Sequence, residues 1–147
     1  MAEYCTFADV QNRLTEAGLN YCADRNRSGA VEPSEQAKHV TTSIAYAGGK
    51  IDIAVINSNQ QLDPIAVRAQ ANIILRDIAI DIAVERVCGL GGHAVPPSVA
   101  EAAARSKDEL VAFMNGKTIP YLTYPTQRDG SYSLTQPAVV NPCGRRW

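Results

Sequence analysis

Histidine and aromatic side chains are scarce in this chain, with two His, two Phe and one Trp among 147 residues. His39 and His93 stand apart, and neither has a nucleophile beside it in sequence. No Glu-x-x-His run occurs, so the sequence lacks the usual pattern of a His-based metal or nucleophilic centre. An excess of either charge is also missing: the formal net charge is -1, which argues against a general nucleic-acid binder. The four cysteines, Cys5, Cys22, Cys88 and Cys143, form no C-x-x-C pair and have no zinc-type spacing. They read as reduced thiols in a cytosolic setting. No apolar run follows Met1, so no secretory signal is expected. Arg76, Asp77, Asp81 and Glu85 interrupt the longest apolar stretches, which excludes an ordinary membrane span. Residues 89–93, Gly-Leu-Gly-Gly-His, lack the Lys-Ser/Thr pair of a phosphate loop and follow a helical pattern rather than a strand.

The chain does have helical periodicity over most of its length. At 46% hydrophobic and 20% charged, it has the composition of a soluble globular domain and can bury about 70% of its unfolded surface. Thr6 is a suitable N-cap for a first helix with apolar residues at Phe7, Val10, Leu14 and Ala17, and Gly18 is its expected stop. Pro33 suits the first turn of a second helix running to about residue 56, with Ala37, Val40, Ile44, Ala47, Ile51 and Val55 on one stripe. Gly48 and Gly49 fall inside it and mark a kink, a break or a close approach by a neighbour. Asp63-Pro64 starts a third helix, expected to run unbroken to Cys88 with Gly89 as its stop. Its apolar residues occupy two faces, the pattern of a central helix. A fourth helix follows Pro97 or Ser98 and ends at Asn115-Gly116. The expected fold is all-α: a small bundle of about four helices over residues 1–116, then an extended, Pro-rich C-terminal arm over 117–147.

Two patterns within the helical part bear on chemistry. Residues 24–35 follow the spacing of a twelve-residue calcium loop. Asp24, Asn26 and Ser28 take its first, third and fifth positions, Gly29 the sharp turn, Val31 the eighth and Glu35 the closing carboxylate. Arg25 and Arg27 place positive charge between those ligands, Pro33 is unusual at its position, and no second loop pairs with this one. The alternative is a helix-connecting turn, in which Asp24 or Asn26 accepts backbone N–H groups and Gly29 supplies a positive φ. Asp77, Asp81 and Glu85 form the other pattern, an acidic ladder along one edge of the third helix. Such carboxylates can serve acid–base or metal chemistry. They can equally form ion pairs with Lys or Arg of neighbouring helices.

The last thirty or so residues differ in kind. Pro120, Pro125, Pro137 and Pro142 forbid a long helix. From Gly116 onward four basic residues face one acidic residue, a net of +3, leaving the remainder at -4. Tyr121, Tyr124, Tyr132, Arg145, Arg146 and Trp147 give this segment the character of a docking arm.

The order of these features resembles a family of phage proteins, the small head–tail adaptors of the Mu-like prophage type. The opening Tyr4-Cys-Thr-Phe-Ala-Asp-Val is similar to the family's Y-x-T-x-x-D-L helix, followed by an Asp/Gly-rich loop. Ile51-Asp52, Asp77-Ile78-Ala79, Gly116-Lys117 and the basic, aromatic terminus look like its later features. Residues 53–57 depart from it by lacking the tyrosines usual after Ile-Asp. The resemblance implies a non-enzymatic virion protein of the neck, at the head–tail interface, made in the host cytoplasm. It implies self-association into a ring, typically of twelve subunits, beneath a portal protein. The C-terminal arm would dock on the portal, the opposite face would receive a tail-completion or neck protein, and DNA would pass the channel without specific binding. No cofactor is implied beyond the calcium that the loop could hold, and no membrane.

Overall fold

A computed structural model describes residues 3–92 and 94–124. These form five helices and no strands: α1 (Phe7–Ala23), α2 (residues 33–57), α3 (Pro64–Ala69), α4 (Ile73–Leu90) and α5 (Pro97–Met114). The all-α expectation holds. Helix α1 starts in a capping box: the Thr6 hydroxyl accepts from the Asp9 N–H, and the Asp9 carboxylate accepts from the Thr6 N–H at 2.8 Å. Gly18 does not end the helix. The interruption comes at Thr15, with φ 65° and ψ 163°, and the Thr15 hydroxyl accepts from the Gly18 N–H at 3.3 Å. Thr15 thus acts as a second N-cap, and Gly18 sits in the first turn of a new helical segment that runs to Ala23.

Helix α2 is continuous in direction but not in pitch. Its first turn, Pro33–Glu35, leads into a π-helical stretch, Gln36–Thr41, and then into α-helix over Thr42–Asn57. The expected stripe is buried at Val40, Ile44, Ala47, Ile51 and Val55, but Ala37 is exposed and His39 is buried. The wider π turn rotates the face that meets the core, which strict α periodicity does not anticipate. Gly48 and Gly49 neither kink nor break the helix. Gly48 admits the Tyr4 ring, which would lie 3.7 Å from a side-chain carbon there.

The expected third helix is divided. Asp63 caps α3 and Pro64 opens it, but Ala71 turns to φ 48° and Asn72 caps a new helix, α4, accepting from the Ile74 and Leu75 N–H groups at 2.9 and 3.1 Å. Helix α4 is central, packing on α1, α2 and α5. Its buried Leu75, Ile78, Ala79, Ile82, Val84 and Val87 meet Val10, Leu19, Ile44, Ile51, Leu110 and Phe113 in one core. It passes Gly89 and ends at Leu90. A side chain on Gly91 would collide with the Cys22 carbonyl oxygen, so the ends of α1 and α4 meet backbone to backbone.

Helix α5 ends as its sequence suggests. Gly116 takes φ 101° and the Lys117 N–H returns to the Ala112 carbonyl at 3.0 Å, closing the last turn in a Schellman arrangement. Residues 117–124, expected to begin the arm, pack on the bundle. Ile119 and Leu122 are buried. The Gln70 side chain pairs with both backbone groups of Thr123, at 3.2 and 2.7 Å, and Asn72 Nδ2 donates to the Pro120 carbonyl at 2.8 Å.

Candidate functional site

In the loop of residues 24–35 the ligand-like side chains gather around their own backbone. Asp24 Oδ1 accepts from the Ser28 N–H at 3.1 Å, and Oδ2 from the Gly29 N–H at 2.7 Å. Asn26 Oδ1 accepts from the Ser28 N–H at 2.9 Å. Glu35 folds back over the start of the loop: Oε1 accepts from the N–H groups of Arg25 and Asn26, at 2.9 and 3.2 Å, and Oε2 from that of Glu32 at 3.2 Å. Ser28 Oγ donates to the Ala30 carbonyl at 2.8 Å, and Gly29 adopts φ 89°. This is the chemistry of a well-made turn between α1 and α2, with Glu35 buried at the start of α2. No group of three His, Cys, Asp or Glu side chains suited to a metal occurs among the described residues.

His39 lies one helical turn beyond Glu35 and is buried, with Nδ1 lacking a hydrogen-bond partner. Burial holds its pKa below the ordinary imidazole value. Arg25 and Lys38 push in the same direction, and Glu35 opposes them.

The acidic ladder does not converge on one point. Asp81 takes Arg13 of α1 at 2.6 Å and the Ser106 hydroxyl of α5 at 2.8 Å. Asp77 lies 4.0 Å from the same Arg13, and Glu85 takes Lys107 of α5 at 2.5 Å. The carboxylates therefore bind α4 to the helices on either side of it.

Tyr4 and Asp9 of the opening segment form bonds across the bundle. The Tyr4 hydroxyl donates to Asp52 Oδ1 at 3.0 Å, and Arg68 of α3 grips the same carboxylate with Nε at 3.1 Å and a second ion-pair contact. The Arg68 guanidinium also lies over the Tyr4 ring, 5.4 Å from its centroid. Burial and the Asp52 carboxylate raise the Tyr4 phenol well above its ordinary value. Asp9, besides capping α1, pairs with Arg76 of α4, and that hydrogen bond holds its carboxyl below the usual range despite burial. Tyr4 thus ties the N-terminal segment to α2 and α3, and Asp9 ties α1 to α4.

A surface feature that the helical stripes did not point to lies between α2 and α5. A groove of about 430 Å³ is lined mainly by apolar atoms of Ile53, Ile82, Val111 and Met114, with Lys50 and Lys107 at its margin. Tyr46 forms one wall, and the Arg86 guanidinium stacks 3.9 Å from the centroid of its ring. Ile53 and neighbouring Ile56, 65% exposed, fall off the core stripe of α2; apolar residues out of phase with a helix's buried face are the signal available in the sequence.

The arm residues divide at the edge of the described chain. Tyr121 is 85% exposed, with φ 62°. Tyr124 turns inward, and its hydroxyl oxygen accepts from the Ile119 N–H at 2.8 Å. Tyr132, Arg145, Arg146 and Trp147 lie outside the described residues, as does Cys143. No helix among the described residues is long and apolar enough to cross a membrane. Compared with known proteins, the chain matches no family model, no curated protein and no solved structure.

Proposed function

We propose that this chain is the subunit of a phage head–tail adaptor, a non-enzymatic virion protein that assembles as a ring, in the manner of a dodecamer, beneath a portal. The observation that carries the reading is the outer surface of the bundle. The buried and half-buried carboxylates of Asp9, Asp52, Asp81 and Glu85 are bound to partners within the chain. Large apolar side chains are left outside: Ile56 and Ile65 (74% exposed), Ile73, Val111 and Tyr121. Large apolar side chains open to solvent suit a subunit completed by neighbours. The acidic body suits a channel that DNA traverses, because phosphate and carboxylate repel. The basic, aromatic arm, with Tyr121 at its base and Arg145, Arg146 and Trp147 at its end, suits docking on the portal, with avidity from ring symmetry. A tail-completion or neck protein would take the opposite face.

The test is deletion of residues 125–147, a cut that spares the packed segment. The shortened protein should fold and lose co-sedimentation with the cognate portal. Retention of portal binding at full strength would remove the arm from this reading.

A second reading, a calcium-binding helical module, is favoured by one observation: Asp24, Asn26, Ser28 and Glu35 converge on one short loop. Asp24 Oδ2 and Glu35 Oε2 each accept a single N–H, which leaves one acceptor site on each for a cation. Calorimetry should then show calcium binding that Glu35→Gln abolishes. No heat and no change in melting temperature on adding calcium would dispose of it.

A further inference from the structure

Cys22 lies in the last turn of α1 and Cys88 near the end of α4, 66 residues apart in sequence, and their Sγ atoms are 3.0 Å apart in the core. Both side chains are buried. A disulfide needs about 1 Å of further approach. Two contacts fix the junction beside the pair. Gly91 lies against the Cys22 carbonyl with no room for a side chain, and the Arg25 guanidinium donates to the Leu90 carbonyl. The ends of the two helices are therefore held together at and just beyond the thiols.

We propose that Cys22 and Cys88 are a redox modification site: exposure to a peroxide converts them into a disulfide that staples the end of α1 to the end of α4. The inference stands on this geometry and not on the adaptor reading. A peroxide is small enough to reach a buried pair. The Cys22 thiolate attacks one peroxide oxygen, an S–O bond forms as the O–O bond breaks, and the departing hydroxide takes a proton to become water. The Cys88 sulfur then attacks the Cys22 sulfur of the sulfenic acid. The S–S bond forms, the S–O bond breaks, and the hydroxyl leaves as a second water with the Cys88 proton. Two thiols are oxidised and one peroxide is reduced to two waters. The hydrogen bond between the sulfurs favours loss of a proton from one of them, and the balance is the same whichever sulfur attacks first.

The link would close a long loop that contains the 24–35 turn and all of α2 and α3. Closing so long a loop should raise the melting temperature by roughly 10 °C. The experiment treats the full chain with hydrogen peroxide, alkylates it under denaturing conditions and maps the peptides by mass. The expected result is a Cys22–Cys88 linked peptide lacking two hydrogens, a higher melting temperature, and reversal of both by a thiol reductant. A variant with Cys5→Ala and Cys143→Ser should behave the same, and Cys88→Ala should yield no link and no shift. Four alkylated thiols after treatment, sulfinic acid at Cys22, or a linkage to Cys5 or Cys143 instead would overturn the proposal. A Cys22–Cys88 link without a rise in melting temperature would overturn the stapling.

Discussion

Thr15 sits at φ 65° and ψ 163°, a region that only glycine occupies without strain and that costs about 1–3 kcal/mol for other residues. Its compensation is the hydroxyl cap on Gly18. Glycine at an N-cap gives up only a few tenths of a kcal/mol relative to threonine. Thr15→Gly should therefore stabilise the protein by about 1 kcal/mol, visible as a higher urea midpoint. An unchanged or lower midpoint would mean that the kink is not strained. His39 bears on pH. Its folded-state pKa lies below the unfolded value of about 6.5, so the unfolded chain takes up the proton first as pH falls. Stability should be intact above that value and decline as pH drops from about 6.5 toward the folded-state pKa. His39→Gln, which has no proton to gain, should flatten the urea midpoint between pH 7 and 5, while the wild type falls. Neither residue was legible as special in the sequence. Thr15 required knowing where the helix bends, and His39 stood on a face that α periodicity assigns to solvent.

At the scale of elements, the sequence indicated helices well and their interruptions poorly. Pro33, Pro64 and Pro97 marked three starts, and Asn115-Gly116 marked an end, because those residues act through local backbone geometry. The break between α3 and α4 was missed because the apolar pattern continues across it. What separates the helices is a polar side chain with two tasks. Asn72 caps α4 through Oδ1 and holds the 117–124 segment through Nδ2 on the Pro120 carbonyl. Its second partner lies 48 residues away, beyond the reach of any local pattern. Asn72→Ala should cost about 2 kcal/mol, more than a simple cap, because it leaves two helix N–H groups and a carbonyl without this partner. Asn72→Asp, which keeps the acceptor and loses the donor, should fall between the two in chemical denaturation. Equal losses for both substitutions would place the whole effect on the Pro120 contact. The calcium-like spacing of residues 24–35 was fully legible, and so was its alternative. A turn and a cation loop demand the same oxygen-rich residues at similar spacing, since both gather acceptors around positively polarised groups.

At the scale of the whole molecule, the division between body and arm is where composition was least informative. Proline density and the shift to positive charge both begin near Gly116, and they suggest a boundary there. The described chain continues to pack as far as Tyr124, through Ile119 and Leu122 in the core and the Gln70 and Asn72 bonds to residues 120 and 123. A local reading sees Ile119 and Leu122 as two apolar residues among prolines, because the core they join is built from residues distant in sequence. Two shortened proteins separate these boundaries. A chain ending at Tyr124 should keep the wild-type helical signal and unfold in one cooperative transition. A chain ending at Gly116 removes two buried apolar side chains and uncovers the core beneath them, so it should lose on the order of 3 kcal/mol or more. Its melting temperature should fall by about 10 °C, and dye binding should report newly exposed apolar surface. If both chains melted alike, residues 117–124 would contribute nothing to the body, and the boundary would return to Gly116. If the longer one alone is stable, any loss of portal binding on removing residues 125–147 can be assigned to the arm rather than to a damaged bundle.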